Sequence, residues 1–186
     1  MNCPVCESGS DLTFGEIAAG LNSFCCAKCS GNWVRLEHYT RWRSGSPTPE
    51  GSLSSAAVAA AEPPVKLRRC PDCRFILARY RVARDAPFTL DRCRNCHGVW
   101  FDRDEWQLVA ARGLAVRLAD VFSDEWQRDI RQAEQAAAIE RMFENRLGAA
   151  ELTRARDVRD WLNNHPQKSD VLAYLELLPA NGSRTG

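Results

Sequence analysis

Hydrophobic positions follow two regimes along this 186-residue chain. Up to about residue 101 they come in short extended runs. From Asp102 they recur at helical spacing. In the first regime, Leu12, Phe14 and Ile17 mark a strand, and Asn22, Ser23, Phe24 and Cys25 its return. Leu36, Tyr39 and Trp42 then predict about two helical turns over 34–42. Residues 75–82 alternate as a strand, with Ile76, Ala78, Tyr80 and Val82 on one face and Phe75, Leu77, Arg79 and Arg81 on the other. Pro87 suits a turn before a return strand at 88–90.

In the second regime, Asp102 and Glu105 stand at capping-box spacing, ahead of a helix that should end near Arg112 with Gly113 as its C-terminal cap. A short helix is expected over 114–122. Ser123 should cap the longest, over 124–147, where Trp126, Ile130, Ala133 and Ala137 form one stripe and Ile139, Phe143 and Leu147 an adjacent one, with Gly148 ending it. A helix over 150–163 carries Leu152, Ala155, Val158 and Leu162, and Asn163-Asn164-His165-Pro166 stops it. Ser169 is expected to cap a last helix over 170–178, closed by Pro179, before a disordered tail at 180–186. The apolar stripes should pack on one another; the competing reading is that the long helix pairs with another chain.

The first regime contains a repeat. Cys3-Pro4-Val5-Cys6 and Cys26-Ala27-Lys28-Cys29 are separated by nineteen residues, as are Cys70-Pro71-Asp72-Cys73 and Cys93-Arg94-Asn95-Cys96. Each member of the second quartet lies 67 positions after its counterpart, and the same offset maps Pro4 onto Pro71, Gly31 onto Gly98 and Trp33 onto Trp100. The chain therefore divides into a unit at 1–43, a Gly/Ser/Pro-rich flexible linker at 44–66, a unit at 67–112 that includes its following helix, a helical region at 113–179 and the tail. A coil of the linker's length spans roughly 25 Å root-mean-square.

Composition narrows the chemistry. The net charge of +1 excludes a globally basic nucleic-acid binder, and no apolar run is long enough for a membrane span. The N-terminus shows no basic-then-apolar leader, so a cytoplasmic location is expected. In a reducing compartment the cysteine pattern speaks for metal rather than disulfides. Two CxxC turns at this spacing are the sequence sign of a zinc ribbon, in which facing hairpins complete a tetrahedron of thiolates. The expected ligands are Cys3, Cys6, Cys26 and Cys29 for one Zn²⁺, and Cys70, Cys73, Cys93 and Cys96 for a second. Four protein ligands leave no open position, which makes both ions structural. The fold class is thus two small zinc-stabilised β-ribbons followed by an α-helical C-terminal region. Chelation or Cys73→Ser is expected to unfold the second unit while the helices persist. Cys25 falls outside both quartets and reads as a free thiol. Cys93 to His97 also spell CxxCH, the haem-attachment signature, but the repeat already accounts for both cysteines. His97 is an exposed knuckle residue or a neighbour of a ligand sulfur. His38 and His165 read as surface residues.

The stretch Cys70-Pro71-Asp72-Cys73, then Cys93-Arg94-Asn95-Cys96-His97-Gly98-Val99-Trp100-Phe101-Asp102 and Glu105, resembles the transcription factor IIB-type zinc ribbons of many small bacterial proteins. The likeness covers about 40 residues of the second unit. The first unit keeps the cysteines, Pro4, Gly31 and Trp33 but has Arg35 where the aspartate belongs. The resemblance implies zinc binding and leaves function open.

The sequence supports a non-catalytic interaction module that binds a protein partner; Trp33 and Trp100 are candidate exposed aromatics for it, or else pack against the zinc knuckle. The alternative is a nucleic-acid-binding or transcription-associated regulator. Residues 66–94 carry nine basic side chains against three acidic ones, and Arg79 and Arg81 share a strand face. A thiol-redox role is a third reading, without a specific arrangement to favour it. No phosphate loop, HExxH or nucleophile elbow marks an enzyme, no small-molecule substrate is evident, and no membrane is implicated. The second ribbon, basic and better matched to the pattern, is the expected recognition unit. The first carries Glu7, Asp11 and Glu16 against Lys28 between its knuckles and is expected to be a mobile companion or a docking cap.

Overall fold

A computed structural model describes residues 1–6, 10–45, 66–86 and 88–177. The predicted turn at Pro87, the linker over 46–65, Pro179 and the tail lie outside these residues. The chain divides into two compact units, Met1–Ala133 and Glu134–Gly186.

In the first unit the expected hairpins form and then join. Strands β1 (Leu12–Ala18) and β2 (Leu21–Cys26) make the first, and β4 (Leu77–Arg81) and β5 (Thr89–Cys93) the second. Each is extended by a three-residue strand, β3 (Asn32–Val34) or β6 (Val99–Phe101), and these two pair with each other. The result is one antiparallel six-stranded sheet of order β1-β2-β3-β6-β5-β4. The first ribbon is therefore not a mobile companion: backbone hydrogen bonds tie it to the second. The joining register sets Trp33 opposite Trp100, Asn32 opposite Phe101 and Val34 opposite Val99. With the 67-residue offset, this is the register of an approximate two-fold axis through the Trp33–Trp100 pair.

The offset does not hold everywhere. Leu12 pairs with Cys26 as Leu77 pairs with Cys93, so β1 and β4 correspond at an offset of 65. The first ribbon has two more residues between its first knuckle and its strand. The second has two more at its hairpin tip. Insertions in loops and turns are tolerated where strand register is not.

Each ribbon runs into a helix, α1 (Leu36–Gly45) and α2 (Glu105–Ala111). The capping box is half formed: the Asp102 N–H donates to Glu105 Oε2 at 2.7 Å, but Asp104, with a left-handed φ of 67°, is the residue preceding the helix. Gly113 has φ 68°, its N–H donates to the Ala110 carbonyl, and the Leu114 N–H donates to the Val109 carbonyl. That pair of bonds is a Schellman end, which needs the left-handed residue glycine supplies. A 3₁₀ turn at Ala115–Arg117 leads into α3 (Leu118–Val121) and then α4 (Asp124–Leu147), where the Trp126 N–H donates to the Ser123 hydroxyl as its sequence position predicts.

Two hydrophobic clusters fill this unit. The larger gathers Leu21, Val34, Tyr39, Val82, Leu90, Phe101, Trp106, Val109 and Val121 from the sheet and from α1 to α3. Trp42, Phe101 and Trp106 meet edge-on there, with ring centroids 5.4 Å apart in each contact. The start of α4 closes it over the β4 edge. Gln127 accepts from the Arg81 N–H at 3.1 Å and donates to the Arg81 and Val121 carbonyls at 2.8 Å, so a side-chain amide pairs with the edge as a neighbouring strand would. Ile130 is buried and Trp126 packs against the cluster.

The second unit contains the end of α4, α5 (Ala149–Asn163) and α6 (Lys168–Leu177). Arg156 and Arg159 reach back to Glu140 at 2.6 and 3.2 Å, folding α5 onto α4. The expected packing of apolar stripes is not found here. Leu152 is buried, whereas Ile139, Phe143, Leu147 and Val158 are exposed. Three helices held by so few neighbours do not enclose an interior. Ser169 is not a cap either. The helix starts at Lys168, two residues earlier than expected, with the Lys168 N–H donating to the His165 carbonyl and the Gln167 N–H to His165 Nδ1. The imidazole thus serves the chain at the turn before α6.

Candidate metal centres

Each knuckle is a tight backbone turn that aims two sulfurs at one point. The Cys6 N–H faces Cys3 Sγ and the Cys73 N–H faces Cys70 Sγ, both at 3.4 Å. In the second knuckles, the Cys26 N–H donates to the Gly31 carbonyl and the Cys93 N–H to the Gly98 carbonyl, both at 2.9 Å. Ser30 and His97, equivalent positions, turn the chain with left-handed φ of 60° and 61°.

The structure brings together the cysteines the sequence singles out: Cys3, Cys6, Cys26 and Cys29 in one quartet, and Cys70, Cys73, Cys93 and Cys96 in the other. Within each, all sulfurs lie within 4.8 Å of one another. Cys3 to Cys29 is 3.6 Å, Cys70 to Cys96 3.5 Å and Cys73 to Cys93 3.4 Å. A tetrahedron of thiolates at zinc distance has edges of about 3.8 Å. The donor sets fit, and each quartet could hold a metal ion.

The protonation pattern agrees with that fit. Burial pushes Cys3 and Cys96 up to about 11, and Cys29 and Cys70 further still. At Cys26, burial acts in the same sense, but the N–H groups of Cys29 and Lys28 outweigh it and bring the thiol down to about 7. At Cys73 burial is likewise overcome, chiefly by the Phe75 N–H, and the value falls to about 6. Cys26 and Cys73 are thus poised to ionise ahead of the raised thiols Cys3, Cys29, Cys70 and Cys96. Four thiolates in so small a space require a cation.

The tryptophans are not exposed. Trp33 and Trp100 are fully buried and join both quartets into the second cluster, with Leu12 and Leu77. Their packing is reciprocal. A Cβ on Gly31 would stand 2.2 Å from the Trp100 ring, and one on Gly98 2.3 Å from the Trp33 ring. Each indole lies on the other ribbon's knuckle, in space that only glycine leaves free.

The polar support of the two indoles differs. Trp100 Nε1 donates to Asp102 Oδ1 in its own ribbon, whereas Trp33 Nε1 crosses to Asp72 Oδ2, both at 2.8 Å. Arg35 occupies the place equivalent to Asp102 and clasps Asp72 through Nε and Nη2, the latter at 2.7 Å. Burial opposes ionisation of Asp72, but the Arg35 guanidinium and the Trp33 N–H hold its carboxyl below the ordinary range. The charge reversal at Arg35 was the sequence signal for an acidic partner. What could not be read was that the acid comes from the opposite knuckle.

A buried polar network also escaped sequence reading. Arg68 lies between Asp91 and Asp102, at 2.8 and 2.9 Å, and Arg79 reaches Asp91 at 3.3 Å. Glu105 is buried beside them. Burial, and then the neighbouring Asp102 charge, push its carboxyl up to about 8.

The other candidates fall outside the quartets. Cys25 faces away on β2, where its carbonyl accepts from the Thr13 hydroxyl. His97 Nδ1 lies 3.3 Å from an Arg92 nitrogen. His38 is largely covered, stacked at 6.0 Å on Phe24, which meets the exposed Phe14 edge-on at 5.6 Å. Among the described residues no helix is long and apolar enough to cross a membrane. Compared with family models, curated proteins and solved structures, the chain matches none.

Proposed function

We propose that this protein is a non-catalytic zinc-binding module: each ribbon holds one structural Zn²⁺ through four cysteines, and the joined ribbons present a rigid surface to a protein partner, in the cytoplasm. The observation that carries the metal reading is the convergence of two Cys₄ sets at near-tetrahedral spacing around a shared pair of buried tryptophans. Zinc would supply charge neutralisation and cross-linking there, and all four positions of each site are taken by protein. Phe14, 64% exposed on the first ribbon beside Phe24 and His38, and Phe75, 59% exposed on the second, support partner binding. The nucleic-acid alternative is weakened because Arg68 and Arg79 are spent on internal carboxylates and Arg92 stacks over Phe122.

The test is metal quantification on purified protein. Two zinc ions per chain are expected, one fewer in Cys6→Ser and in Cys73→Ser. Structural zinc contributes an apparent ~10–16 kcal/mol in small fingers at neutral pH. Chelation should therefore abolish the ribbon amide signals of both halves together, because they share a sheet, rather than of the second alone. A metal-free chain that keeps those signals would overturn the reading. Phe14→Ser with full zinc content should weaken capture of the partner.

A further inference from the structure

The first unit contains a pocket that neither quartet uses. Val34 and Val99, paired across the two ribbons, line it together with Phe101, Leu118 of α3 and Phe122. Its space is about 400 Å³, counting the part that opens to solvent. Small-molecule sites run from about 300 to 1,000 Å³, with mostly apolar walls and a few placed polar groups. Here those groups are Arg92, His97 and Tyr39.

Arg92 is the one that asks for a ligand. It is half-buried, with its guanidinium 4.9 Å over the Phe122 ring and Nη2 3.3 Å from His97 Nδ1. These contacts position the group without answering its charge. Arg35, Arg68 and Arg79 all have carboxylate partners, whereas among the described residues none pairs with Arg92. A fixed cation beside an apolar cavity favours an anion that carries an apolar body. Tyr39 adds a donor: its hydroxyl oxygen accepts the Leu118 N–H at 3.3 Å, and its own O–H proton remains to be given.

We infer that this pocket binds a compact aromatic monocarboxylate, with the carboxylate on Arg92 and the ring among Val34, Phe101 and Leu118. One guanidinium answers one negative charge, and further charge would be stranded against the apolar lining. A peptide backbone entering the pocket would leave its amides facing the same lining. The aromatic neighbours Phe101, Phe122 and Tyr39 suit a ring. This inference goes beyond the metal reading and assigns the cysteines no part in binding.

Benzoate titrated into the zinc-loaded full chain should shift the methyl signals of Val34, Val99 and Leu118 saturably. Its dissociation constant should be of the order of 1 mM, as suits a ligand of so few atoms. Benzamide, which has the same shape without the charge, should bind about tenfold more weakly. Arg92→Met should bring benzoate down to the level of benzamide with the zinc content unchanged. A fall in zinc would mark a lost ribbon rather than a lost pocket. Ala119→Phe, on the exposed α3 side of the lining, then decides independently, because it should exclude both ligands. Absence of saturable shifts, equal binding of benzoate and benzamide, or undiminished benzoate binding in either zinc-replete variant would overturn the inference. So would tighter binding of a peptide ending in phenylalanine, which would make the occupant a protein terminus.

Discussion

Arg35 and Asp102 occupy the same place in their ribbons, two residues past the tryptophan, yet they work in opposite ways. Asp102, its side chain 31% exposed, accepts from its own ribbon's Trp100 and from Arg68, beside the buried Asp91 and Glu105. Arg35, with a side chain 36% exposed, clasps the Asp72 of the other ribbon. The axial contacts, glycine against indole, are the same on both sides. The polar groups around them are not. Packing on the two-fold axis constrains both copies at once, whereas a hydrogen bond to an indole N–H can be answered from either ribbon.

The largest effect that would sharpen this contrast should come from Arg68. Arg68→Met leaves the buried Asp91 and the partly buried Asp102 without their shared cation, and breaking a buried pair costs about 3–5 kcal/mol. Denaturant unfolding should show it, and a loss under 1 kcal/mol would mean that the second ribbon's network is no more enclosed than the first's. Next is the pH response of Glu105. Its carboxyl binds a proton more tightly folded than unfolded. The stability this gives is complete at acid pH, below the unfolded value, and is lost as pH rises through about 8. Under zinc saturation, melting curves should show a fall worth about 2 kcal/mol between pH 6 and 8. Glu105→Gln should flatten it while keeping the acceptor for the Asp102 N–H. A slope unchanged in the variant would assign the titration elsewhere. Smaller, and equal on both sides, should be Gly31→Ala and Gly98→Ala, each costing about 1–3 kcal/mol by forcing an indole aside. Unequal losses would break the two-fold reading. Smallest should be Arg35→Met, about 1 kcal/mol or less, because the pair it removes is partly solvated.

What could be read in advance followed from local chemistry. The knuckles, both hairpins, the Ser123 cap and the glycine end after α2 are each specified by residues close in sequence. The helix positions were legible for the same reason. Strands β3 and β6 were not, because three residues carry no period and become strands only by pairing with each other. Packing of each tryptophan on a knuckle was legible, but not that its cover, Gly31 or Gly98, lies in the opposite repeat. The 67-residue offset concealed the shifted first strands, since two residues gained in one loop are given back in another turn. In the second unit, helical periodicity was visible, but periodicity marks an apolar face without naming what meets it.

The Trp33–Trp100 pairing carries an evolutionary consequence. Its register is the one that two identical ribbons would adopt as separate molecules, with each indole seated on its twin's glycine. Duplication and fusion of such a ribbon would convert an ancestral homodimer into a single chain. From then on Asp72 and Arg35 could drift apart as a complementary couple, a specialisation closed to two copies of one gene product, in which every change appears on both sides. A second ribbon excised with its zinc should recover the ancestral behaviour and pair with itself along β6.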